Sequence, residues 1–242
     1  MTRALKTEAV AILTTPVARL LLLGSVVMAV VSCAANLAVL DDLSGDEATR
    51  LALHAATVPA MLFAMIAGAY ATSTDRRFGF IDQRLVTDPS RLRWLAAKSG
   101  AQASLGLVYG LLGSATAITV STIVFAARGA TFDLVSPTVG RAIVGVLVAT
   151  PLLAIIGSAL GSLTANTSAV VSGLLVWALV LEPPAVVGLP EIGRWLPLSA
   201  GLGLTYSPDE ALLGQIMGGA VLLAYTFAAF AFATRNIERA DI

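Results

Sequence analysis

Between Arg19 and Arg235 the chain passes through five stretches that contain no Asp, Glu, Lys or Arg: residues 20–40, 51–74, 99–127, 142–181 and 211–234. An α-helix rises about 1.5 Å per residue, so about 20 apolar residues cross the ~30 Å hydrocarbon core of a bilayer. Four of the stretches, 21 to 29 residues long, suit one crossing each, and the remaining one, 40 residues long, suits two joined by a tight turn. Its only polar cluster, Thr164-Ala165-Asn166-Thr167-Ser168, marks that turn. The expected fold is an all-α membrane protein with helices near 17–40, 51–74, 90–127, 141–164, 168–182 and 211–234. Whatever this chain does is expected to be done in or across a membrane.

Only 12% of the residues are charged, against about 25% in a soluble domain. The longest segment outside the expected helices, 182–210, has 29 residues and is too short for a soluble domain. Residues 1–242 therefore read as one membrane domain. The zero net charge gives no reason to expect a nucleic-acid partner. The single cysteine, Cys33, lies in the first helix, reads as packing and rules out an internal disulfide. The first apolar run is longer than a signal-peptide core and lacks a small-residue cleavage site after it, so a retained helix is expected.

Six crossings put both termini on one side. That side collects Arg3, Lys6 and Arg19, six basic residues between Arg76 and Lys98, and Arg235 and Arg239. The total is 11, against four opposite: Arg50, Arg128, Arg141 and Arg194. The bias of basic residues toward the cytoplasm orients the termini and the second loop inward, with the acidic segment 41–47 outside.

Three segments outside the spans carry further pattern. Residues 1–16 place Leu5, Ala9, Ile12 and Leu13 at roughly helical spacing among Arg3, Lys6 and Glu8, as in a helix lying on the inner membrane surface. In the second loop Phe78, Ile81 and Leu85 share one helical face. Asp88-Pro89 then breaks that helix, and Pro89 can open the next one. A short amphipathic cytoplasmic helix with a proline elbow is expected there. After the fifth helix, residues 182–210 hold five prolines together with Val186, Val187, Leu189, Ile192, Trp195 and Leu196. This segment is too apolar for a free loop and too interrupted to span. A re-entrant or interfacial hairpin over 183–209, with Trp195 at headgroup level, is expected.

With these features together, the chain resembles, along its whole length, the membrane subunit (permease) of ABC transporters of the ABC-2, or type V exporter-like, class. Those subunits have an N-terminal surface helix, six membrane helices, a cytoplasmic coupling loop between helices two and three, and a re-entrant external hairpin before helix six. The most specific match is in the coupling loop, at Asp75, Gly79, Phe80, Leu85, Thr87, Pro89, Ser90, Arg91, Ala97 and Lys98. Asp75 stands where the family usually has Glu, and Phe80 where it usually has Thr. Gly157-Ser158-Ala159-Leu160-Gly161 resembles the family's small-residue run at the end of helix four.

The resemblance implies a subunit without its own motor. Two such subunits pair, as a homodimer or heterodimer, and each docks on a cytoplasmic ATP-binding cassette protein that binds the ATP and Mg. The chain itself would carry no cofactor, no metal and no catalytic residue. Coupling to the ATPase would fall to Asp75, Phe78, Gly79, Phe80, Ile81, Leu85, Pro89 and Arg91, and helix packing to Gly157 and Gly161. The absence of any G-x-x-x-x-G-K-[ST] run agrees. The cargo implied is lipophilic or amphipathic, a drug, antibiotic, peptide or lipid. The Ala-, Leu- and Val-rich composition suggests a high-GC bacterium, and the resemblance implies its cytoplasmic membrane, with membrane lipids as further partners.

Other classes fit less well. An intramembrane protease needs a buried nucleophile and base or paired carboxylates, and a proton-coupled secondary transporter needs ionisable groups at mid-membrane depth. The only histidine, His54, is expected near the outer end of helix two, and no acidic residue is expected inside a helix core. A secondary transporter and a non-ABC scaffold or accessory subunit remain the alternatives. Glycines three or four apart, as at Gly157 and Gly161, let membrane helices approach closely. Uncharged polar residues such as Ser32, Asn36, Gln102, Ser104, Thr116, Thr119 and Ser121 are expected mostly to bond their own backbone.

Overall fold

The computed structural model describes residues 15–40, 43, 46–80, 91–206 and 212–239, with residues 91, 92 and 237–239 described by backbone alone. The surface helix expected over 1–16 and the loop positions 81–90 fall outside the described residues, apart from residues 15 and 16. The described chain is helical, with no strand: α1 Pro16–Val39, α2 Asp46–Arg77, α3 Arg91–Ala127, α4 Pro137–Gly161, α5 Thr167–Val176, a π-helical turn Trp177–Leu181, α6 Glu182–Gly188, α7 Pro190–Gly193, α8 Pro197–Leu204 and α9 Gln215–Arg239. Six helical runs are long and apolar enough to cross a membrane, one of them the continuous run Thr167–Gly188.

The helix ends have local causes. Pro16 and Pro137 occupy first-turn positions, where the missing N–H costs nothing. The Ser136 side chain accepts from Val139 N to start α4, and Asn166 Oδ1 accepts from Ala169 N at 3.0 Å to start α5. α2 carries Asp46 and Glu47 in its first turn and Arg76 and Arg77 in its last, the arrangement the helix dipole favours. α2 and α4 begin at 46 and 137, before the charge-free stretches starting at 51 and 142, because Asp46, Glu47, Arg50 and Arg141 lie within the helices.

α2 is the central element. In its most apolar window 78% of residues are buried, against 17 to 22% for the outer runs α1, α5–α6 and α9. α4 lies against α2 at backbone contact. A Cβ at Gly157 would sit 1.9 Å from Met65 O, one at Gly161 2.3 Å from Ala69 O, and one at Gly68 2.1 Å from Ala154 O. Thr72 and Ser158 add a hydroxyl–hydroxyl bond of 2.7 Å across the same seam. α8 is almost wholly buried, at Leu198, Ser199, Ala200, Gly201 and Gly203, seated between α4 and α9.

Candidate functional site

Among the described residues, polar side chains gather at more than one place. The first is the junction where α2 ends and α3 begins. Lys98 Nζ donates to Asp75 Oδ2 at 2.6 Å, with the lysine side chain 4% exposed. Arg76 Nη1 donates to Ser162 O, just beyond the end of α4. The last turn of α2 is thereby tied to both neighbours. α2 then stops in a tight turn: Phe78 N donates to Thr74 O, Gly79 N to Arg76 O, and Gly79 adopts φ +68°, a left-handed value that glycine takes without strain. The turn presents Phe78 and Phe80 outward, 60% and 46% exposed, with ring centroids 6.0 Å apart and the Arg77 guanidinium 5.7 Å from the Phe78 ring. Beside them an open hollow of about 580 Å³ is bordered by Arg77 and the 164–168 turn.

Of the loop positions singled out in the sequence, Asp75, Phe78, Gly79 and Phe80 come together at this junction. Ile81, Leu85 and Pro89 lie outside the described residues, and Arg91 is the first residue of α3. Gly157 and Gly161 are elsewhere, in the α2–α4 seam.

The second place was not expected from the sequence. Glu182, assigned there to the start of a loop, is 2% exposed inside the run Thr167–Gly188. Its Oε1 accepts from Ser199 N at 2.5 Å and from Ser199 Oγ at 2.8 Å, and its Oε2 accepts from Trp177 Nε1 at 2.8 Å. The carboxyl thus caps the first turn of α8 from a different helix. Pro183 and Pro184 are the physical reason for the local geometry. Neither has an N–H, so the carbonyls four residues back lose their α-helical donors, and each ring crowds the turn before it. The chain widens over Trp177–Leu181, and Glu182 N donates five residues back to Trp177 O. One π turn changes the register of all that follows, and such turns recur at functional sites. Glu182 also forms one wall of a cavity of about 260 Å³ whose other walls include Met65, Ile156, Leu174, Trp177 and Leu198.

The uncharged polar residues behave simply. Asn36, Ser104, Thr119, Thr122 and Thr226 each donate to a carbonyl four residues back on their own helix. Gln102 and the Tyr109 hydroxyl are fully buried on α3 and meet no hydrogen-bond partner among the described residues. No family model and no curated protein matches this chain.

Proposed function

We propose that this chain is the membrane-spanning subunit of an ATP-driven ABC-2 type exporter in a bacterial cytoplasmic membrane. Both termini and the α2–α3 junction would be cytoplasmic, and α6 to α8 would form the external re-entrant hairpin. A second permease subunit and a separate ATP-binding cassette protein would complete the machine, and ATP and Mg would bind to the latter. The cargo would be lipophilic or amphipathic.

The observation that carries the reading is the knuckle at the end of α2. Two phenylalanines stand exposed beside Arg77, on a turn anchored through Asp75–Lys98 and Arg76–Ser162. Exposed aromatic rings next to a guanidinium favour a protein partner. A push on that turn passes directly into α2, the most buried helix, and through it to α4. This geometry supports a force-receiving role for Asp75, Phe78, Gly79 and Phe80; for Ile81, Leu85, Pro89 and Arg91 the same role rests on the sequence resemblance.

The test is co-purification of the chain with any ATP-binding cassette protein encoded beside it, followed by ATPase and export assays. The wild-type pair should co-elute and export. Phe80→Asp should still insert in the membrane yet lose about tenfold or more of export, because a charge replaces a buried contact in the complex. Failure of any such ATPase to bind, or full export by Phe80→Asp at normal insertion, removes this reading.

A further inference from the structure

Two spaces of opposite chemistry meet at the end of α4. Thr164 borders the open hollow of about 580 Å³ beside Arg77, and Leu160, four residues earlier, is a wall of the cavity of about 260 Å³. Leu163 N donates to Leu160 O, so the chain is still coiled here and the two walls lie about one turn, ~6 Å, apart. The side chains around the hollow are rich in donors: the Arg77 guanidinium, the Asn166 amide nitrogen, and the hydroxyls of Thr164 and Ser168. Asn166 Oδ1 already accepts from Ala169 N, and Thr164 Oγ1 from Asn166 N. No acid lines the hollow, and Arg77 has no ion pair among the described residues. The cavity is the reverse. The Glu182 carboxyl at its edge is taken up by Ser199 N, Ser199 Oγ, Trp177 Nε1 and Leu198 N, so it turns no free oxygen to the space. Trp177 and Leu198 are themselves cavity walls, so the carboxyl frames an apolar slot. Leu174 and Trp177 lie seven and ten residues beyond Thr167, about 10 and 15 Å along the run, within reach of one leaflet of a ~30 Å core. Trp177 is 39% exposed on a run only 17% buried, so this wall borders the lipid.

We propose that the hollow and the slot are one binding site for a phospholipid, with the head-group phosphate on Arg77, Asn166 and Ser168 and one acyl chain between Met65, Leu160 and Leu174. A phosphate accepts charge-assisted hydrogen bonds from a guanidinium. Water does not suit the slot, because a buried water needs two to four polar partners. An empty slot forfeits the contacts its walls would make. A neutral lipophile fills the slot and leaves the guanidinium unused, and free phosphate does the opposite. A phospholipid uses both. The site is a property of this chain in a bilayer and needs no ATPase, so it stands apart from the exporter reading.

The experiment is photolabelling of the purified chain in phosphatidylglycerol nanodiscs. The tracer is phosphatidylglycerol with a diazirine at the middle of one acyl chain, and diacylglycerol with the same chain is the comparison without a phosphate. The carbene from phosphatidylglycerol should insert at Met65 and Leu174, 3% and 8% exposed, at least about tenfold above Met61, which is fully buried and not a cavity wall. Diacylglycerol should label Met65 about fivefold less, and Arg77→Gln should lower labelling by phosphatidylglycerol about fivefold, the scale of one exposed ion pair. Leu174→Trp and the milder Leu174→Phe fill the slot and should lower Met65 labelling, the former by about tenfold. Labelling of Phe227, 71% exposed on α9, should stay constant throughout. Size-exclusion profiles matching wild type establish that each variant is folded. Met65 labelled no more than Met61 means that no chain enters the slot. Equal labelling by the two lipids, or unchanged labelling in folded Arg77→Gln, means that the hollow holds no head group. Each of these results overturns the proposal, as does Met65 labelling that survives both fillers. None of them touches the exporter reading, which is decided by coupling to an ATPase.

Discussion

At the scale of single residues, the Asp75–Lys98 pair shows why a charge in a membrane protein is informative only with its partner. Lys98 is 4% exposed on its side chain and Asp75 20%, so the pair is shielded from solvent. Removing one member of a shielded pair leaves the other charge desolvated, which costs about 3–5 kcal/mol, whereas neutralising both costs far less. Lys98→Met should therefore lower the thermal stability of the purified protein sharply, and the double variant Asp75→Asn, Lys98→Met should recover most of the loss. Heating detergent-solubilised samples and following the monodisperse fraction by size-exclusion checks this. A double variant as unstable as Lys98→Met would mean that packing of the lysine stem, and not charge pairing, holds the junction. Glu182 makes the complementary point. Read along the chain it is one acid before two prolines. Read in space it joins Trp177, Ser199 and the start of α8, none of which its immediate sequence neighbours announce.

At the scale of elements, the α2–α4 seam has no side-chain layer to compress. Gly157→Ala would bring a methyl to 1.9 Å from Met65 O, which forces two backbones apart, while Gly173 on α5 has nothing within 4 Å of its Cβ position. Overpacking of this kind costs about 1–3 kcal/mol or more, whereas Gly→Ala in an open helix position is neutral or gains up to ~1 kcal/mol. Gly157→Ala should thus melt well below wild type in the same size-exclusion assay, and Gly173→Ala at or above it. Equal melting of the two would remove the close contact as a determinant of stability. The same elements set the limit of what the sequence discloses. The six spans were legible because each is an apolar run of membrane length, and the Asn166 turn was legible because its polar residues interrupt an apolar stretch. Helix ends were less so, since Asp46, Arg77 and Arg141 belong to helical turns that a charge-free criterion cuts away. The prolines at 183 and 184 read as a stop because they remove two helical donors. The chain answers instead with a wider turn and continues to Gly188, and that continuation is what buries Glu182. The apolar Ala185-Val186-Val187 after the prolines was the available signal.

At the scale of the whole molecule, the two ends of the helix assembly are chemically different. One end has the basic α2–α3 junction and the uncharged 164–168 turn, and the other has the α3–α4 connection and the chain from α6 through α8. Coupling through the junction requires that end to face the cytoplasm, because only a cytoplasmic end can meet an ATPase. The 11-to-4 split of basic residues favours the junction end. The 164–168 turn contributes no charge to that count, so it tests the orientation independently. Single cysteines at Val135, 90% exposed between α3 and α4, and at Ala165, exposed in the turn, report the two ends. Cys33 is fully buried and is replaced by Ala in both, so each protein carries one reactive thiol. An impermeant maleimide should label Val135→Cys on intact cells and Ala165→Cys only after the membrane is opened. The reverse pattern would put Phe78 and Phe80 outside the cell, where no ATP is available to drive a partner, and the coupling role of the junction would fall with it. Labelling of both positions on intact cells would mean that the chain does not adopt one orientation, and a fixed cytoplasmic docking face would be excluded on the same ground.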